Sequence, residues 1–336
     1  MYRAMLAAVI LAASAHAQEK DAAPKVTLKL EQATIPDAAA QIAAQAGVDV
    51  LVVGDIKDEV SLDLKDVEVE AAVESVAEAC QGSWLRLYAI QTEKTAGQKE
   101  TAEQLLERLQ AAWRAWFLRR TEEELDAFGR RAREAAAAEQ QQQQGQPQQP
   151  APAGGDTIMW DPLDMVRGPF HLEQITLQLQ GAPAQDAVDK FMLESGYPVL
   201  LEQGLEGAVT LDVKAEKLSR ILDAVAEQLA ARWRMSYLIA QPHEMTADEM
   251  QQRLTQGLGQ LAGWFFGLPP DQRQRIMDQT VQRLQNIPPE ARDRIKQSAW
   301  APRIMQTVML SVTQLTPDQR REVSPLLRGL AGLLGQ

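Results

Sequence analysis

Apolar and polar residues alternate in two segments of the chain whose sequences are almost the same. V-S-L-D-L-K occupies residues 60–65, and V-T-L-D-V-K occupies residues 209–214. Strict alternation of this kind predicts a β-strand with one buried face. The segments lie 209 − 60 = 149 residues apart, which suggests that a longer stretch of the chain is written twice.

Shifting the chain by that distance aligns the two regions without a gap. Asp37 falls on Asp186, Trp84 on Trp233, and the pattern Val76-Ala77-Glu78 recurs as V-A-E at residues 225–227. About a third of the positions from 26 to 90 are identical between the copies, which identifies a duplicated domain.

Each copy has the pattern strand, helix, strand, strand, helix, strand. In the first copy Thr34 can cap a helix that Gly47 ends, and residues 48–53 form a nearly continuous apolar run typical of a buried strand. The predicted fold class is therefore α+β, with two duplicated, small two-layer βαββαβ modules at residues 24–92 and 173–241.

Each module is followed by a segment with helical periodicity. The first predicts a helical hairpin over residues 100–134, and the second predicts a helical C-terminal region over residues 245–336. Both begin with a stripe of large apolar residues that are candidate partner-binding anchors, although packing of the helices on the modules is favoured. The candidates are Trp113, Trp116, Phe117, Trp264, Phe265 and Phe266.

The two halves are joined by a segment of very different composition. Residues 135–155 are rich in Gln, Pro and Ala, cannot form a core, and predict a disordered linker that lets the halves either move independently or dock on one partner. Residues 156–172 contain Trp160, Leu163 and Phe170, which predict a docking segment that packs on the second module.

The N-terminus has the pattern of an export signal. Arg3 precedes ten apolar residues, and Ala15-His16-Ala17 is a small-x-small cleavage site. We expect a signal peptide at residues 1–17 cut after Ala17, a periplasmic or secreted protein, and no integral membrane span in the mature chain, because ten apolar residues are too few to cross a bilayer. The single cysteine, Cys80, aligns with Leu229 and is expected in the core.

Charge and motifs restrict the function further. With 34 Lys and Arg against 46 Asp and Glu, the net charge of −12 disfavours binding to nucleic acid. His171 and His243 have no Cys or His at ligand spacing, and no nucleotide-binding or hydrolase motif occurs. Asp63 and Asp212 occupy matching positions, but a solvated strand face is favoured over paired catalytic carboxylates. We therefore expect no enzyme activity, no cofactor and no metal site.

The module sequences resemble a known family. V-T-L-K-L, I-P-D-A-A-A-Q-I-A-A-Q-A-G-V-D-V-L-V and V-S-L-D-L-K-D-V-E-V-E-A-A-V in the first copy, with L-E-G-A-V-T-L-D-V-K in the second, resemble the short N-terminal domain shared by secretins and TonB-dependent signal transducers. The first copy departs from the family pattern at Asp58, where the second copy has Gly207. The resemblance implies a two-layer α/β module that mediates protein contacts in the bacterial envelope.

A second, shorter resemblance lies near the C-terminus. L-T-P-D-Q at residues 315–319 resembles the L-T-x-x-Q motif of Spy/CpxP-type periplasmic proteins, although a capped helix start is the favoured explanation of these residues. The expected function is an exported, non-enzymatic interaction or adaptor protein whose partners are envelope proteins, such as those of a secretion or uptake machine. The alternative is a periplasmic chaperone or envelope-stress sensor.

Overall fold

A computed structural model describes residues 24–95, 100–142, 157–164, 166–289, 292–293, 308, 312–313 and 315–334. The predicted signal peptide lies outside these residues. The α+β fold class is confirmed. The chain separates into two units, one built from residues 24–142 and 161–243 and the other from residues 157–160 and 244–334.

The first unit contains both predicted repeats, and each has the predicted order of elements. The first repeat contains β1 (Lys25–Thr34), α1 (Ile35–Ala46), β2 (Asp49–Val53), β3 (Glu59–Glu68), α2 (Val69–Ala79) and β4 (Ser83–Gln91). Two helices then follow, α3 (Ala102–Arg119) and α4 (Glu122–Gln142), as the predicted hairpin requires. Thr34 caps α1 by accepting from the backbone N–H of Asp37, and Gly47 ends it with φ of 67°.

After β5 (Thr157–Trp160), the second repeat contains β6 (Gln174–Pro183), α5 (Ala184–Ser195), β7 (Val199–Leu201), β8 (Ala208–Lys217), α6 (Leu218–Gln228) and β9 (Arg232–Ala240). Gly207, where the two copies differ, has φ of 155°, and a Cβ there would lie 2.6 Å from Leu229 Cδ2. A side chain at this position would therefore collide with the end of α6.

The last strand of each repeat pairs inside the other repeat. The four-stranded sheet has the order β2-β9-β4-β7, so β9 lies between β2 and β4, and β7 adds to β4. β9 runs parallel to β2 and antiparallel to β4, while β7 runs parallel to β4. The sequence assigned each final strand to its own module, which is wrong, because the two strands are exchanged.

The exchanged strands are related by an approximate two-fold axis. Leu87 faces Ser236, which is the same position in the other copy, since 87 + 149 = 236. Val50 faces Tyr237 across one outer pair, and the equivalent Val199 faces Tyr88 across the other. The duplication has therefore produced one internally symmetric sheet.

The cores show why the strand exchange matters energetically. Tyr237 and Ile239 of β9 are fully buried in the core of the first repeat, among residues of β1, α1 and α2. Tyr88 and Ile90 of β4 are buried in the core of the second repeat. Neither repeat completes its core alone, so the expectation that the halves move independently is wrong.

A third core covers the opposite face of the four-stranded sheet. Alternate residues of the central strands, such as Leu87 and Leu238, point to this face and meet Leu105 and Leu109 of α3. Leu163 and Val166 pack there too, so the predicted docking segment contacts both exchanged strands rather than the second repeat alone. Its first residues, 157–160, belong instead to the second unit.

The predicted linker begins later than expected. Helix α4 continues to Gln142, so residues 135–142 are helical and not part of a linker. The remaining residues of that segment, 143–155, lie outside the described part of the chain.

The second unit is mostly helical, as expected. A two-stranded ribbon pairs β5 with β10 (His243–Thr246), and the chain continues into α7 (Ala247–Gly267) and α8 (Pro270–Gln285). α9 (Pro317–Leu334) packs against α8, with a small core of Phe265, Met277 and Val323. Thr246 and Glu249 form a capping box at the start of α7.

Candidate functional site

The most unusual charged group of the first unit lies where the exchanged strands cross. Arg86 on β4 is only 8% exposed. Its Nη1 donates to Glu70 at the start of α2, and its Nη2 donates to Glu173 just before β6. One guanidinium therefore joins a carboxylate of the first repeat to a carboxylate of the second.

Aromatic rings surround this charge. The Arg86 guanidinium carbon lies 4.1 Å from the Tyr197 ring centroid, a cation–π distance, and Tyr197 donates its hydroxyl to Glu173. The Tyr237 hydroxyl lies 3.4 Å from Glu70 Oε1. Burial by itself would lower the pKa of Arg86, but Tyr88, Tyr197 and the two carboxylates raise it above its usual value. Arg86 is therefore a permanent positive charge at the junction.

A half-open cleft of about 300 Å³ lies beside Arg86. Its lining consists of Ser83, Trp84, Leu85, Arg86, Arg167, His171 and Tyr197. Arg86 Nε and Ser83 Oγ are buried there without a hydrogen-bond partner. Ser83 Oγ forms no hydrogen bond with His171.

His171 lies at the rim of this cleft. Its ring packs on Tyr197 with centroids 4.6 Å apart. Burial lowers the pKa of His171, and the positive charges of Arg86 and Arg167 lower it further, while Glu173 acts in the opposite direction. The neutral imidazole is therefore favoured in the folded protein.

A second buried charge cluster anchors the α3–α4 hairpin to the second repeat. Asp189 of α5 is fully buried and receives two 2.8 Å hydrogen bonds from Arg119 and one of 2.7 Å from Arg120. Gln185 donates to the same carboxylate at 2.9 Å. The hairpin follows the first repeat in sequence but is held by the second.

Trp116, one of the candidate partner-binding residues, belongs to this anchor. It is 1% exposed, and its indole N–H donates to the Asp189 carbonyl at 3.0 Å. Trp113 stacks on it at 5.0 Å between centroids and is partly buried. Both rings therefore take the packing role that the sequence favoured. The side chain of Phe117 lies outside the described residues.

The other three aromatic candidates lie in the second unit. Phe265 is 8% exposed and belongs to the small core, and Trp264 and Phe266 are partly buried against the same core. Packing again accounts for their positions, and none of the three presents a fully exposed ring.

The matching aspartates behave as parts of a solvated surface. Asp63 lies on β3, 3.9 Å from Lys65, and both side chains are more than half exposed. Asp212 lies on β8 and accepts a 3.2 Å hydrogen bond from Gln178. The two carboxylates stand on separate two-stranded sheets.

The L-T-P-D-Q motif has a clear local role. Thr316 Oγ1 accepts from the backbone N–H of Gln319 at 3.3 Å, and the Gln319 side chain accepts from the backbone N–H of Thr316 at 2.9 Å. This reciprocal pair is a capping box at the start of α9.

The four-stranded sheet has two outer edges, one on β2 and one on β7. In the described part of the chain, no strand pairs with the outer edge of β2 or β7. These strands are repeat equivalents, so the molecule presents two related edges at the two ends of one sheet. Val52 on β2 and its equivalent Leu201 on β7 are both half-buried.

Arg86, Glu173 and Asp189 were not among the residues that the sequence pattern predicted as functional. The repeat itself contains a signal for two of them, because Arg86 aligns with Met235 and Asp189 with Ala40. A charged residue in one copy where the other has an apolar one indicates a contact that breaks the symmetry.

Comparison with known proteins leaves the chain without a match: no family model matches it, and no curated protein or solved structure is similar to it. Among the residues that the structure describes, no three His, Cys, Asp or Glu side chains come together as metal ligands would. No helix in the same residues has both the length and the apolar character to cross a bilayer.

Proposed function

We propose that this protein is an exported, non-enzymatic adaptor of the bacterial envelope that binds partner proteins at the outer edges of its four-stranded sheet. The observation that carries the proposal is the pair of equivalent edges, β2 and β7, with no strand partner in the described chain. The resemblance of the repeats to the secretin and TonB short domain supports a role in envelope protein contacts, and the N-terminal pattern supports export.

An open sheet edge offers a row of backbone donors and acceptors to an incoming strand. The two edges belong to one sheet, so their spacing is set by β9 and β4 between them rather than by a linker. A partner with two strands, or two copies of one partner, would therefore meet a fixed arrangement and lose less freedom on binding.

Site-specific photo-crosslinking in the native envelope tests this proposal. A photoreactive amino acid at Asp55 or Gln203, the exposed second residues after β2 and β7, places the probe beside an outer edge, whereas Asp63 and Asp212 provide matched control positions on exposed faces of β3 and β8. We expect adducts with the same envelope protein from both edge positions and none from the controls. Adducts from the control positions alone would contradict edge binding.

The chaperone alternative has less support. Its motif, L-T-P-D-Q, forms the capping box at Thr316 and so has a structural explanation. An aggregation assay with an unfolded client protein distinguishes the two functions: the adaptor is expected to leave aggregation unchanged at equimolar ratio, whereas a chaperone suppresses it.

A further inference from the structure

Each half of the first unit lacks a strand that only the other half supplies. Residues 24–142 contain β2 and β4, which are not neighbours because β9 lies between them. In the other half, residues 166–240, β7 has no strand partner of its own, because the described strand that pairs with it is β4 of the first half. A half that is separated from its complement therefore exposes both a strand edge and an open core.

The complement is recognised by specific contacts as well as by apolar burial. Arg86 donates to Glu173 across the halves, and Arg119 and Arg120 hold the buried Asp189. Tyr88 and Ile90 enter the core of the second half. A foreign strand would leave Asp189 buried without its arginines, which costs several kcal/mol.

We propose that a second copy of this chain can supply the complementary half, giving a reciprocally strand-exchanged dimer. Residues 24–142 of each chain would pair with residues 166–240 of the other, and every contact described for the first unit would be kept.

The physical basis is that monomer and dimer contain the same interface. Exchange of identical elements is a low-cost route to a dimer, and the choice depends on whether a half meets its own complement or a neighbour's first. A short connection acts as an effective concentration of about 1 mM, so the closed monomer prevails in dilute solution and exchange becomes competitive near that value. An exchanged dimer would carry two four-stranded sheets and twice the number of outer edges.

The facing pair at the two-fold axis provides the test. Leu87 of β4 faces Ser236 of β9. Two full-length versions of the chain are made with different tags, and both carry Cys80→Ala so that the native thiol is absent. One version also carries Leu87→Cys, and the other carries Ser236→Cys. They are unfolded, mixed, refolded and oxidised with oxidised glutathione. A disulfide between the two tags forms only if β4 of one chain pairs with β9 of the other.

We expect disulfide-linked heterodimer after refolding at about 0.5 mM and at least tenfold less after refolding at about 5 µM. As a positive control, a single chain that carries both cysteines shows that β4 and β9 pair and that the disulfide forms. If Leu87→Cys prevents folding, Ala89→Cys and Arg234→Cys provide a second pair of facing positions. Absence of heterodimer at every concentration, while the two-cysteine chain closes internally, would overturn the proposal. Linked homodimer from a single-cysteine chain would overturn it too, since like strands would then be pairing.

Discussion

Truncation of Ile239 tests the strand exchange most directly. Ile239 belongs to the second repeat by sequence but is fully buried in the core of the first repeat, next to residues of β1, α1 and α2. If the strands are exchanged, Ile239→Ala opens a cavity in the first repeat. If each repeat were closed on itself, the same change would loosen the second repeat.

The magnitude follows from the burial of the side chain. Replacing a fully buried Ile with Ala costs about 2–5 kcal/mol, of which ~0.8 kcal/mol comes from each lost methylene-sized group and the rest from the cavity. Each 1.4 kcal/mol corresponds to about a tenfold change in an equilibrium constant. Amides protected by the damaged core should therefore exchange at least ~30 times faster.

Hydrogen exchange measured by mass spectrometry resolves where the loss occurs. We expect faster exchange in peptides from β1 and α1, with a smaller change in β6 and α5. Ile90→Ala is the matched control, because Ile90 is the repeat equivalent of Ile239 and is buried in the core of the second repeat. It should give the opposite pattern. Loss of protection in the second repeat for Ile239→Ala would refute the exchanged arrangement.

Three further outcomes are expected. Cleavage at a protease site inserted among residues 143–156 should leave both fragments in one particle on size-exclusion chromatography with light scattering, because β9 and β4 interlock; separation into two stable fragments would contradict this. Asp189→Ala should lower the free energy of unfolding in urea by about 3 kcal/mol, because it removes the buried carboxylate that Arg119 and Arg120 share, although Arg120 keeps its contact with Glu124. Replacement of the exposed Glu227 by Ala should change that free energy by less than ~0.5 kcal/mol. Because folding lowers the pKa of His171, the unfolded chain takes up a proton before the folded chain does as the pH falls below the ordinary histidine pKa near 6.5, and the free energy of unfolding should then decrease. His171→Phe should reduce the slope of the free energy of unfolding against pH in that range. An unchanged slope would exclude His171 as the source of this pH dependence.

Several features could be predicted from the sequence because they depend on neighbours along the chain. Alternation at β3 and β8, the cap at Thr34 and the glycine at the end of α1 are local properties, and the structure confirms each of them. Cys80 was expected in the core because its aligned residue in the other copy, Leu229, is apolar. The structure confirms that Cys80 is buried. The duplication followed from the aligned residues themselves.

The exchange of strands could be decided only by the tertiary structure. An alternating pattern shows that a strand has a buried face but not which neighbour covers it, and β4 and β9 carry similar patterns that suit either core. The same limit applies to the charged contacts. Arg86 and Glu173 are 87 residues apart, and Arg119 and Asp189 are 70 apart, so nothing in their local sequence joins them. Their pairing exists because the crossed sheet brings the two repeats together and buries Arg86 and Asp189 between them.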